Sequence, residues 1–425
     1  MPFLSPFGKV NCPHCFHRFH LSQALRRRAG RGEATEACSM IGRHFGRNPG
    51  PVLPKIDRSH IPTSFWKRLG RRFYVRPEPS EYRSVCPNCG IYLPDKLANG
   101  ELSSEVFAIV GSKNSGKSNY FGVLLNELRR RQSGNVGFEM VDTMTYTPSQ
   151  GLVSSSILYR ERYGDRLFSP TDPKAVGQTQ SVLTQIGTDL DPRIPLIYQL
   201  RFRKHSWQHL TQPLAHRVPV YLLIFDAAGE DMGDETVMKQ YYTFLERATG
   251  VIFLIDPFEY PGIRRQLPDA VQRSMPPVGA EPSWVVDHVI NTIRDRKRYL
   301  SSRLLNLPAA FVLTKSDLFK EIPDAVHTNS AILREGAHRG GYDLPGGEDL
   351  SREVQQHIIN WDSPELIEKA KANFKTYSFF TVSALGAAPE PTTLRLQHPP
   401  EPHRVADPLL WLFWQRGYVP AVRRV

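Results

Sequence analysis

The stretch from Val106 to Ser118, VFAIVGSKNSGKS, constrains this chain more than any other. A short apolar run ends in Gly111, and Gly116, Lys117 and Ser118 follow at the spacing GxxxxGK[ST]. Glycines at those positions let the backbone curl so that its N–H groups converge on phosphate oxygens, with a helix N-terminus beneath them. Lys117 is then placed to reach the β and γ phosphates, and the Ser118 hydroxyl to ligate Mg2+. Asn114 and Ser115 fall inside the loop. A bare Gly/Ser turn lacks the flanks seen here: an apolar strand in front, and Asn119 to Arg131 behind, with Phe121, Leu124, Leu125 and Leu128 at helical spacing.

Further apolar strands follow, each ending in polar residues. VPVYLLIFD has the continuous apolar run of a buried strand and ends at Asp226, close to Gly229. An aspartate at a strand's carboxyl end faces the phosphate loop; Asp226 would hold Mg2+ through water, and the Gly229 N–H would meet the γ phosphate. AAFVLTKSD ends in Thr314, Lys315 and Asp317, an arrangement whose carboxylate can take the two adjacent N–H donors of guanine while the lysine stem lies along the ring. In FFTVSALG, a backbone N–H at Ser383 or Ala384 can meet the guanine O6. The polar segment before PLIYQLRFR offers Thr171, Thr179 and Thr184 as a Mg2+-sensing threonine, and Thr179 in GQTQS is favoured.

The N-terminal hundred residues differ in character. Cys12 and Cys15 lie in CPHC, and Cys86 and Cys89 lie in CPNCG; two such knuckles make a tetrahedral thiolate site for structural Zn2+ with no open position. The pairs are about seventy residues apart, which implies a large insertion at about residues 21–85. One of His14, His17 and His20 could replace a cysteine ligand, although four cysteines are favoured; Cys38 is left over. The formal charge of the 425-residue chain is +12, and Leu21 to Val85 holds fourteen Lys/Arg against five Asp/Glu. RRRAGRG (26–32) and FWKRLGRRFYVR (65–76) interleave basic and aromatic residues, a pattern that can bind nucleic acid but more simply reads as a solvated loop and a hairpin. Four cysteines in CxxC pairs argue for metal in a reducing compartment, and no run is long enough to span a bilayer, so a cytoplasmic protein is expected.

GSKNSGKS, DAAGE, TKSD and SALG stand in one order, each after an apolar strand. Together they resemble the G1, G3, G4 and G5 motifs of TRAFAC-class P-loop GTPases. The knuckles, and PLLWLFW in the closing helix, look like the double-GTPase family of bacterial conflict systems. The resemblance covers about Glu101 to the C-terminus and implies an α/β fold with a mostly parallel six-stranded sheet and helices on both faces. It implies a zinc-ribbon-like domain over 1–100 and a GTPase domain over 101–425, with insertions at about 257–282 and 321–373. The second insertion is expected to end in a helix from about Asp349 to Phe374, and 387–407 is read as a Pro-rich linker.

The implied function is a Mg2+-dependent switch that binds GTP and GDP, acts on protein partners, and leaves room for a nucleotide-dependent dimer. Lys117, Thr179 and Glu230 are the candidate catalytic residues. Glu230 stands where many small GTPases carry a water-orienting glutamine, and a carboxylate there is repelled by the γ phosphate, so hydrolysis is expected to be slow or stimulated by a partner. Arg162 and Arg166 could act as an internal arginine finger, though a surface role is the simpler reading. Two alternatives are a zinc-ribbon adaptor that binds nucleic acid, with a structural nucleotide, and a P-loop ATPase; TKSD and SALG argue against the latter.

Overall fold

The computed structural model describes residues 9–28, 56–57, 82–98, 103–130, 138–202, 220–226, 229–269, 272, 282–297, 303–320, 330–361 and 363–422. It is a mixed α/β structure with a large, mostly parallel sheet, and it divides into two compact units. One holds the described residues up to Val106 with Met140–Leu158 and Val182–Phe225; the other holds Phe107–Glu139, Tyr159–Ser181 and the chain from Asp226 onward.

In the first unit, β1 (Lys9–Asn11) and β2 (Arg18–His20) pair antiparallel across the first cysteine knuckle. β3 (Leu25–Arg28) pairs antiparallel with both β4 (Ile56–Asp57) and β5 (Tyr82–Val85), which delivers the second knuckle. The chain continues into β6 (Ser103–Gly111), which ends in the second unit.

β7 (Phe138–Asp142) is a seventh strand of the main sheet, where the sequence suggested six strands and a polar segment. Phe138 and Met140 are buried while Glu139 is exposed, so a period-two pattern is present, but it is only a few residues long. β8 (Met144–Thr147) and β9 (Gly151–Ser154) form a separate antiparallel pair. β10 (Leu196–Phe202) and β11 (Val220–Asp226) are antiparallel neighbours, and the first unit's share of the sheet runs β11-β10-β7.

The second unit's share runs β15-β13-β12-β6, where β12 is Gly250–Ile255, β13 is Ala309–Leu313 and β15 is Tyr377–Thr381. All three of these pairings are parallel. Every residue of β12 and β13 is buried, as strands covered on both faces require. Phe253, Phe311 and Phe379 are register partners and stack at 5.0 and 5.2 Å, with Phe374 edge-on to the first two. This aromatic row fixes the register that aligns the strand ends. β14 (Tyr342–Asp343) and β16 (Ala421–Val422) make a small parallel pair.

Among the longer helices, α1 (Lys117–Arg130) starts at the end of the Gly111–Ser118 loop and buries Phe121, Leu124, Leu125 and Leu128. α2 spans Pro282–Lys297. The single helix expected over 349–374 is two helices, α3 (Leu344–Asn360) and α4 (Glu365–Asn373). Pro364 lacks the N–H that would continue α3, and it sits as the N-cap of α4. α5 (Asp407–Gln415) carries Pro408 in its first turn and is buried along most of its length, with Phe413 edge-on to Phe107 and Phe138. At its start, Asp407 accepts from His338 Nε2 at 2.8 Å and from Arg404, a fully buried brace.

Candidate functional site

The second unit builds a cavity at the carboxyl ends of its strands. Asn114 (φ 65°) and Gly116 (φ 80°) occupy the left-handed region, which curls the Gly111–Ser118 loop back over β6. Lys117 is buried, and its Nζ donates to the carbonyl oxygens of Gly111 at 2.9 Å and Ser112 at 2.6 Å. Ser115 Oγ donates to Ser112 O at 2.9 Å. At Gly229, a Cβ would lie 2.7 Å from the backbone of Lys113 and from Lys117 Nζ, so only glycine admits this approach.

Three oxygens converge beside Lys117. Ser118 Oγ is 2.7 Å from Thr179 Oγ1, and the Thr179 hydroxyl donates to Asp226 Oδ2 at 3.0 Å. Tyr163 Oη donates to the same oxygen at 3.0 Å, from a single π-helical turn over Arg160–Gly164. Asp226 Oδ1 is buried with no hydrogen-bond partner among the described residues. Burial pushes the Asp226 carboxyl up, against the pull of Ser118, Lys117, Thr179 and Tyr163. Burial likewise pulls Lys117 down to about 8, partly offset by the charge of Asp226. A buried ammonium bonded to two carbonyls and the Ser115 hydroxyl, beside a carboxylate with a spare oxygen, fits a ligand that brings an anion to one and a cation to the other.

The cavity measures about 770 Å3, within the size range of small-molecule sites. Asn114, Gly116, Lys117, Ser118, Thr179, Gly229 and Glu230 line it, as do Thr314, Lys315, Asp317 and Ala384. Gly111, Ser115, Asp226 and Ser383 do not; each bonds a residue that does. Ser383 turns its N–H to the His403 carbonyl and its hydroxyl to Asp317 Oδ1 at 2.5 Å. It therefore orients Asp317, and the backbone N–H expected to face a base falls to Ala384. Lys315 has φ 57°, pairs with Asp256 Oδ2 at 2.6 Å and lies over the Phe258 ring. Glu230 is exposed, whereas Asp231 is buried and accepts from Ser181 and Tyr242. The neighbouring acids thus diverge, one toward the cavity and one into packing.

No known protein-family profile matches the chain. It is similar to a Mycolicibacterium smegmatis protein, SaeC, named for a proposed role in ESX-1 scaffolding and assembly: 23% identical over 414 residues, which cover 94% of this chain and 97% of that one. No helix among the described residues is long and apolar enough to cross a membrane.

The first unit holds a second centre. The Sγ atoms of Cys12, Cys15, Cys86 and Cys89 all lie within 4.8 Å of one another. Cys12 and Cys89 are 3.8 Å apart, and Cys15 and Cys86 are 3.6 Å apart. A tetrahedral zinc with Zn–S near 2.3 Å requires sulfur separations of about 3.8 Å, so the set fits the ion. The knuckles share one form: His14 N donates to Cys12 Sγ and Asn88 N to Cys86 Sγ, each at 3.4 Å. Phe16 (φ 59°) and Gly90 (φ 72°) close the turns in the left-handed region. Arg27 on β3 buttresses the second knuckle, donating to Gly90 O at 2.7 Å with its guanidinium over the Tyr92 ring. No described histidine belongs to the sulfur group. Burial pushes the Cys12 and Cys89 thiols up, while hydrogen bonds from Cys12, Cys86 and Cys89 push Cys15 down. A divalent cation held among the four sulfurs favours their thiolate forms.

Several of the sequence expectations lie outside the described residues: Cys38, the segment 65–76, and residues 321–329. Of RRRAGRG, only Arg26–Arg28 are described, in β3. Sequence reasoning missed Asp256, Tyr163, Asn119 and Leu394. Asp256 follows an apolar strand as Asp226 does, so the same rule finds it. Asn119 bridges both polar groups of Val176, at 2.8 and 3.3 Å, and as the polar residue directly after Ser118 it stands out in the sequence. Leu394 carries no such signal.

Proposed function

We propose that this chain is a GTP-binding, Mg2+-dependent switch of the P-loop GTPase type, with hydrolysis that is slow or stimulated by a partner. One observation carries the reading: Lys117, Ser118, Thr179 and Asp226 form a continuous polar set beside the cavity that also takes in Lys315 and Asp317. Lys117 would bind phosphate in place of the Gly111 and Ser112 carbonyls. Ser118, Thr179 and Asp226 would hold Mg2+, whose charge offsets that of the phosphates. Asp317, held by Ser383, would take the guanine N–H donors. Gly229, against Lys113 and Lys117, is where loss of a terminal phosphate would be felt. Glu230 puts a carboxylate where a water-orienting amide is common, which favours retention of the nucleotide over rapid cleavage.

The four cysteines would hold a structural zinc ion. SaeC is named for ESX-1 scaffolding and assembly, and in this reading the switch likewise acts on protein partners in a multi-protein bacterial system of signalling or conflict. Titration with fluorescent GTP and ATP analogues tests the base assignment. GTP is expected to bind with Mg2+ and in clear preference to ATP; ATP binding of equal strength would overturn the guanine reading.

A further inference from the structure

The Pro-rich stretch 387–407 reads in sequence as a linker, yet part of it belongs to the cavity. Leu385 to Pro389 and Leu394 line it alongside Val176, Gly177 and Gln178. The turn Glu390–Arg395 is closed by Leu394 N to Glu390 O and Glu390 N to Arg395 O, both at 2.9 Å. It is then fastened to the segment before Thr179. Ala175 N donates to Leu394 O at 2.8 Å, Leu396 N donates to Pro173 O at 2.9 Å, and Arg395 pairs with Asp172 at 3.1 Å.

Leu394 is the unusual member. It has φ 58°, a region that glycine or asparagine enters easily and leucine does not. Its Cδ1 lies 3.9 Å from where a Gly177 Cβ would be, so the side chain covers Gly177 at the cavity wall. A bulky residue kept in an unfavourable backbone region points to a use for the side chain.

Resting on the nucleotide reading, we propose that Leu394 is a nucleotide-contacting residue, and that the Glu390–Leu396 turn is a wall of the site joining the base-side loop to the Thr179 segment. An apolar side chain at that position packs on the ribose or the face of the base and slows exit. The turn also ties Asp172–Ala175 in place, so Thr179 is positioned from the base side as well as from Ser118 and Asp226. Nucleotide release is therefore coupled to how firmly the turn holds.

The test is release of N-methylanthraniloyl-GTP, with Mg2+, from the full chain. Leu394→Gly removes the wall while relieving the backbone, so its melting temperature should equal or exceed that of the wild type. Its release should be about tenfold faster, the loss of one partly buried leucine contact. Leu394→Met retains an apolar side chain and should restore slow release. Release from Leu394→Gly at the wild-type rate would overturn the wall while leaving the nucleotide reading intact. Failure of the wild type itself to bind would remove both. Faster release from Leu394→Gly and Leu394→Met alike would show that the side chain's contact is not the cause, and would also overturn the proposal.

Discussion

Ser118 Oγ and Thr179 Oγ1 lie 2.7 Å apart although 61 residues separate them, and the Thr179 hydroxyl donates a hydrogen bond to Asp226. The loop that starts α1 and the segment that follows the π-helical turn therefore meet at one carboxylate.

If that meeting point is the Mg2+ site, Thr179→Ala should weaken Mg2+-dependent GTP binding by about 10- to 100-fold, the range for losing one charge-assisted contact. GDP binding should change less. Mg2+ titrations with the two nucleotides check this; equal losses for both would mean that Thr179 serves only to hold the fold.

Asp317→Asn should lower GTP affinity by about 100-fold and raise that for xanthosine triphosphate, because the amide offers a donor where guanine also has one. Ser383→Ala frees Asp317 and should cost less, roughly tenfold. Competition binding with the two nucleotides gives the answer, and unaltered GTP affinity in Asp317→Asn would put the base pocket elsewhere.

The pH dependence has a defined sign. Ligand-free Lys117 sits at about 8 because of burial, and phosphate raises it, so binding takes up a proton above that pH. GTP affinity should accordingly fall as pH rises past 8, with a slope approaching one proton. On the acid side, the raised carboxyl of Asp226 must ionise to hold Mg2+, so the Mg2+-dependent part of binding should decline as pH falls. Isothermal titration in buffers of different ionisation heat measures the proton count; a flat profile from about pH 7 to 9.5 would contradict the role given to Lys117.

Metal removal should act on the first unit. Small zinc modules draw about 10–16 kcal/mol from their ion, more than a typical domain's whole stability. Chelation, or Cys86→Ser, should abolish a thermal transition and release one zinc per chain by elemental analysis. Full stability in chelator with no metal detected would rule out the zinc centre.

Asp407→Asn should destabilise the second unit by about 3–5 kcal/mol, since it leaves Arg404 buried without its carboxylate. Burial alone would raise Asp407, but His338 and Arg404 hold it below its ordinary value. The stabilisation is thus present above the usual carboxyl range and is lost as pH falls through the lower folded value. Urea midpoints at about pH 7 and about pH 2 should show the gap between wild type and variant narrowing at the lower pH.

Much of the candidate site's layout lay open in the sequence where a residue's placement follows from its position after a strand. Gly111, Lys117, Asp226 and Asp317 are of this kind, because a strand's carboxyl end is set by the strand's own apolar run. The paired cysteines were legible for a related reason, a fixed local turn. What escaped notice depends on tertiary closure. The 349–374 helix is broken before Pro364, a signal that is present in the sequence. β7 is too short for its alternation to stand out. Leu394 and the turn around it take their place from hydrogen bonds to Pro173 and Ala175, more than two hundred residues earlier, which no local pattern encodes.

The four-sulfur centre also bears on how the protein is handled. Sulfurs 3.6 and 3.8 Å apart need to move little to bond covalently once no ion separates them. In air, a metal-stripped preparation is therefore open to disulfide formation among Cys12, Cys15, Cys86 and Cys89. Such a product would run faster on a non-reducing gel and refuse zinc until reduced, so loss of the metal and oxidation of the chain would leave the same trace in a melting curve and part only when thiols are counted.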